Sequence, residues 1–163
     1  MTQIDLLRPA FTHALAARLT NGESINLTAA HGLGRRRTVQ DMQTLLPPGM
    51  LVLYADMKFC ADDFPATLNE LRAQAGLKDE DVLDLGQLIE TLGQAKKPAL
   101  LILHNFDLLR NQPHDPLFDS ALLLHLADFA DHANLALLTV SETIYADWPL
   151  PCEHLPLPRG MST

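Results

Sequence analysis

The run ALLILH, residues 99–104, constrains this chain more than any other stretch. It has no polar side chain before its last position, so a strand built from it must be covered on both faces. A second run of the same kind, LALLTV, occupies 135–140. Unbroken apolar strands of this length belong to parallel sheets packed between helices. Both are far too short to cross a bilayer as a helix, which takes about 20 residues.

The intervening segments carry the helical periodicity that such a sheet needs. Ile4, Leu7, Phe11 and Leu15 recur at helical spacing over 4–20. Pro9 either opens that helix or kinks it, and Asn21-Gly22 stops it. SINLT, 24–28, reads as a strand. Val39, Met42 and Leu46 mark one face of a helix that Pro47-Pro48-Gly49 ends. MLVLYA, 50–55, is a short strand candidate. Asp62-Asp63 ahead of Pro65 marks a helix start, with Leu68, Leu71 and Ala75 on its buried face and Gly76 as its stop. A helix over 81–95 places Val82, Leu85, Ile89 and Leu92 on one side. Residues 117–132 read as a mostly buried helix, 142–147 as a short helical turn, and His154–Leu157 as a last strand.

Strands alternating with helices at crossover length predict a three-layer α/β/α domain around a five-stranded parallel sheet. No internal repeat divides the 163 residues. The chain reads as one domain over 1–163, with an N-terminal helix at 4–20, a core at 24–157 and a tail at 158–163.

Charge and cysteine content narrow the function. A net charge of −8 argues against non-specific binding to nucleic acid or to an anionic membrane, either of which needs a positive surface. Cys60 and Cys152 are too few for a disulfide framework. The first residues, MTQIDLLRPAF, lack the basic start and continuous apolar core of a secretory leader. The expectation is a soluble, cytoplasmic protein.

AAHGLGRRRT, 29–38, lies between a strand and a helix, where a phosphate-binding loop would sit. Such a loop works by aiming backbone N–H groups and a helix N-terminus at a polyphosphate. A lysine then reaches the outer phosphates and an adjacent hydroxyl binds Mg²⁺. Gly32 and Gly34 are present, but Ala29 stands where the first glycine usually is, Arg35 stands at the lysine and Arg36 at the hydroxyl. Arg36 cannot ligate Mg²⁺, and Thr38 is about 200° further round a helix.

Together with PALLILHNFDLL and LALLTVSET, this loop resembles the AAA+ and STAND-like branch of the P-loop NTPases. The resemblance covers about residues 4 to 157. It implies an apolar strand ending in two acids, one for Mg²⁺ and one to activate water, and a further strand ending in a polar sensor. His104 stands at the metal acid, Asn105 at the catalytic acid, and Thr139 or Ser141 at the sensor. An amide cannot take a proton from water, and imidazole is a poor partner for Mg²⁺. The helical lid of that branch, with its second sensor arginine, has no counterpart here.

The resemblance therefore implies a degenerate, pseudo-ATPase domain, a nucleotide-sensing or protein-interaction module rather than an enzyme. Its cofactor would be ATP or ADP, bound without Mg²⁺ if at all. The binding residues would be His31, Gly32, Leu33, Gly34, Arg35 and Arg36 around the phosphates, with His104, Asn105 and Thr139 on the γ-phosphate side. The expected partner is another protein, with no nucleic acid and no membrane; the oligomeric state is open. One alternative is an active ATPase with shifted ligands, Thr38 and Asp107. Another is a scaffold whose Arg35–Arg37 cluster engages an acidic partner, and that cluster also reads simply as a solvated helix start.

His125, Asp128 and His132 share one helix face, a spacing that suits a metal site or, more plainly, a solvent-facing stripe. Cys60 reads as a structural thiol, and Ser141 lacks the glycine-flanked elbow of a hydrolase nucleophile.

Overall fold

A computed structural model describes residues 6–30, 32–78, 84–111, 113–118, 122–143 and 152–158. Strands β1 (Ser24–Thr28), β2 (Leu51–Asp56), β3 (Ala99–His104), β4 (Leu135–Ser141) and β5 (Glu153–Pro156) form one sheet in the order β2-β3-β4-β1-β5. Every neighbouring pair is parallel. Strands β3 and β4 are buried at every position, as their unbroken apolar sequence requires.

Alternate residues of these strands enter different cores. Leu101, Leu103, Leu135 and Leu137 pack beneath α4 (Phe64–Gln74) and α5 (Leu85–Gln94). Leu100, Ile102, Ala136 and Leu138 pack on the other face beneath α1 (Pro9–Thr20) and α2 (Arg35–Thr44). Three layers result, as the sequence predicted.

Local chemistry sets the helix starts. Pro9 opens α1, where its missing N–H costs nothing. Asp63 accepts from the N–H of Ala66 to cap α4, and Asp84 caps α5 through Gln87. The structure departs from the sequence reading in several places. Strand β2 runs to Asp56, one residue beyond the expected end. A short helix α3 (Met57–Cys60) follows it, capped by Asp56. The helix expected over 81–95 begins at Leu85, and residues 79–83 lie outside the described ones. The helix expected over 117–132 is interrupted: α7 (Leu123–Leu126) tightens into a 3₁₀ turn at Ala127–Asp131. A further four-residue helix, α6 (Leu108–Asn111), follows β3, and the helical turn expected at 142–147 lies mostly outside the described residues.

Gly22 ends α1 with φ +84°. A Cβ there would stand 2.4 Å from the carbonyl oxygen of Ala133. Gly76 also has positive φ, +71°, but open space around it. Gly76→Ala should cost about 1–2 kcal/mol for the left-handed backbone alone. Gly22→Ala should cost clearly more, because a backbone oxygen must move as well. Urea unfolding of the two variants checks that order, and equal losses would contradict it.

Candidate functional site

The glycine loop joins β1 to α2 at the carboxyl edge of the sheet, where open α/β sheets bind ligands. Gly34 precedes α2 with φ +77°, and a Cβ on it would lie 2.7 Å from the Leu7 side chain. Glycine supplies both the backbone angle and the room. No side chain caps α2, and its first internal bond runs from Thr38 N–H to the Gly34 carbonyl. Gly32, Gly34, Arg35, Arg36, Lys58, His104 and Asn105 surround a cleft of about 380 Å³ at this edge.

Arg35 does not extend into solvent. It is only 6% exposed. One guanidinium nitrogen, Nη1, donates to the Ala29 carbonyl at 3.1 Å, and Nη2 donates to Asn105 Oδ1 at 2.5 Å. Asn105 Nδ2 in turn donates to Asp56 Oδ1 at 2.8 Å. Arg36 Nη2 closes the chain on Asp56 Oδ2 at 2.8 Å, and its Nη1 donates to the Tyr54 hydroxyl at 3.3 Å. Arginine only donates and carboxylate only accepts, so a single orientation of the Asn105 amide satisfies both neighbours. Asn105 also adopts φ +56°, a left-handed angle that asparagine tolerates better than most residues.

Asp56 is the residue that sequence reasoning missed. Burial pushes its carboxyl up, but hydrogen bonds from Asn105, Arg36 and the Lys58 N–H outweigh burial and hold it below the ordinary 3.8. The same pairing with Asp56 raises Arg36. The signal available in the sequence was one acid closing the apolar run LVLYAD, the position at which a parallel strand delivers a side chain to this edge.

Of the other expected site residues, His104 lines the cleft, while Thr139 and Leu33 bond elsewhere. Thr139 does not line the cleft. Its hydroxyl donates to Asn26 Oδ1 on β1 at 2.8 Å, and Ser141 donates to the same oxygen at 3.1 Å. Strand register sets Asn26 directly beside Thr139, so the interior amide is the nearer partner. Leu33 contributes its carbonyl to Arg8 at 2.7 Å. His104 ends β3, is buried, and packs its ring against Tyr54 with centroids 6.3 Å apart. His31 lies outside the described residues.

Thr38 and Asp107, the alternative Mg²⁺ ligands, are both engaged elsewhere. Thr38 accepts from Arg8 Nη1 at 3.1 Å, and Asp107 accepts from the Glu142 N–H at 3.1 Å. The arginine cluster is not simply a solvated helix start: Arg35 is buried, and Arg36 and Arg37 pair with Asp56 and Asp41.

The histidine stripe is partly solvent-facing, with the His125 and Asp128 side chains 39% and 51% exposed. His125 and His132 abut Gly86 and Gly93 of α5, whose missing side chains make the room. Among the described residues no group of three or more histidine, cysteine or acidic side chains is placed to hold a metal.

The fold has known relatives in structure. The chain resembles Cdc6p from Pyrobaculum aerophilum, with TM-score 0.58 and 19% identity over 88% of this chain and 41% of that one. It resembles the Aeropyrum pernix ORC2 protein, solved as ADPNP and ADP complexes, with TM-score 0.61 and 16% identity over 90% and 47%. It also resembles Drosophila ORC bound to DNA, with TM-score 0.57 and 18% identity over 88% and 40%. No family model and no curated protein sequence matches the chain. The chain thus has an AAA+ P-loop NTPase-like fold and spans less than half the length of each of these structures.

Removing Asp56 leaves the Asn105 amide and the Lys58 N–H without their acceptor. Asp56→Ala should therefore lose about 1–3 kcal/mol. Because the folded carboxyl titrates below its unfolded value, its contribution is present above the ordinary carboxylate range and is lost as pH falls through the folded value. Unfolding measured from pH 7 down to about pH 2 should show the difference between wild type and Asp56→Ala shrinking below about pH 4. A difference that stays constant over that range would contradict this account of Asp56.

Proposed function

We propose that this chain is a non-hydrolysing member of the ATPase-like folds, a pseudo-ATPase in which the phosphate loop has become a structural joint and the domain works by binding another protein. One observation carries the reading. Arg35 and Asn105, at the positions of the lysine and the catalytic acid, are bonded to each other at 2.5 Å. Phosphoryl transfer depends on charged groups aimed at the γ-phosphate and Mg²⁺. Here Asp56, the carboxylate bonded to Arg36 and Asn105, has both oxygens engaged, one of them by a cation that would repel the metal.

A nucleotide that enters this cleft meets Arg36 and Lys58 instead of a metal site, so ATP or ADP would bind weakly and without Mg²⁺. The negative net charge disfavours nucleic acid as the partner. Both cysteines are free, in keeping with a cytoplasmic location, and no helix among the described residues is long and apolar enough to cross a membrane.

Phosphate release from Mg-ATP should stay at the buffer rate. Calorimetry with ATP or ADP should give heats that are unchanged by Mg²⁺ and abolished in Arg36→Ala. Steady turnover that needs Mg²⁺ would overturn the proposal and restore a working ATPase.

A further inference from the structure

The loop cleft adjoins a larger one. Lys58 and Asn105 line both. The second cleft measures about 670 Å³ and has an aliphatic and aromatic wall made by Met57, Phe59, Ala61, Leu108 and Pro113. Phe59 is 73% exposed, and Leu117 is 47% exposed; they are the large apolar side chains left in solvent among the described residues. Exposed aromatic side chains beside a groove mark interaction sites more often than isolated ones do.

The groove has a fixed frame. Asp115 N–H donates to the Ala61 carbonyl at 2.7 Å, and its carboxylate accepts from Phe64 N–H at 2.9 Å and Leu117 N–H at 3.0 Å. The segment carrying Pro113 and Leu117 is thereby tied to the turn between α3 and α4. Phe64 and Phe118 pack edge to face beneath it, with centroids 5.1 Å apart. The wall is ready to receive a side chain without first being ordered.

Charge distinguishes the two ends. Arg35, Arg36 and Lys58 gather at the loop end, where Asp56 pairs with Arg36. Arg8 adds a buried cation under Gly34, bonded to neutral oxygens of Leu33, Thr38 and Pro158. Lys58 stands 5.9 Å from the Phe59 ring centroid, so charge and ring form one surface. This is a local positive excess on a chain of net charge −8. Asp62, the acid lining the larger cleft, would repel a phosphodiester chain running along the groove.

We propose that the adjoining clefts dock an extended, acidic and apolar segment of a partner protein. A Glu or Asp side chain meets Arg36 and Lys58, and a Phe or Leu side chain of the same stretch packs beside Phe59, against Met57, Leu108 and Pro113. This names the partner class for the interaction role above and rests on that reading of the domain. The carboxylate sets orientation and speeds encounter, and the apolar side chain supplies most of the affinity.

The test is fluorescence anisotropy with three labelled synthetic peptides: acidic with Phe and Leu, acidic with Ser in their place, and basic with Phe and Leu. Only the first should bind. Its affinity should fall about fivefold between low and physiological salt. Phe59→Ser and Lys58→Glu should each weaken it about tenfold. Both side chains are exposed, so the variants should keep the wild-type melting curve. Equal binding of the serine peptide would reduce the site to an anion site and overturn the proposal. Failure of the first peptide to bind, or binding indifferent to Phe59→Ser, would overturn it too. Phosphate release from Mg-ATP, measured on the same preparation, reports separately on whether the domain is non-hydrolysing.

Discussion

The buried guanidinium of Arg35 organises the carboxyl edge of this sheet. A cation almost wholly out of water must have its N–H groups met by acceptors, since an unmet buried charge costs several kcal/mol, on the order of 3–5 when one partner is removed. The acceptors are the carbonyl of Ala29, at the end of β1, and the amide of Asn105, at the end of β3. Asn105 then hands the polarity on to Asp56, at the end of β2. Three strand ends are cross-linked through two side chains, Arg35 and Asn105. The ionisation of Asp56, the posture of Arg36 and the orientation of the Asn105 amide all follow from that link.

The same edge shows how the expected nucleotide chemistry is redistributed. Polar atoms at the ends of buried parallel strands need partners when no ligand supplies them. Thr139 and Ser141 find Asn26, Asp107 finds the Glu142 N–H, and Thr38 finds Arg8. Each pairing joins elements distant in the chain. What remains open to solvent is the side of α3, where Lys58 and Phe59 project beside a groove. This hydrogen-bonded edge thus lies beside an exposed aromatic residue, Phe59.

Much of the fold was legible in the sequence. ALLILH and LALLTV suited interior strands, and the helical spacing of Leu68 with Leu71 and of Leu85 with Ile89 supplied the covering layer. The break between α7 and its 3₁₀ turn was not legible, because the apolar pattern of 117–132 continues through it. The glycine loop was found from its glycines, and Arg35, Arg36, His104 and Asn105 do meet around one cleft. Thr139 was assigned there by the resemblance, as a sensor candidate, yet strand register offers its hydroxyl to Asn26 instead. Asp56 carried no motif, and its role depends on Asn105, which lies 49 positions away.

The sequence by itself determined the layers, the parallel sheet and the position of the loop, because periodic burial is a local property that each segment declares through its own side chains. Only the tertiary structure decided what the loop does with its charges. The partner of Arg35 lies 70 positions along the chain, and that of Thr139 lies 113 away. Hydrogen bonds between such residues depend on distances of a few tenths of an ångström and on which way an amide faces. Those quantities exist only once β1, β2 and β3 have been brought side by side.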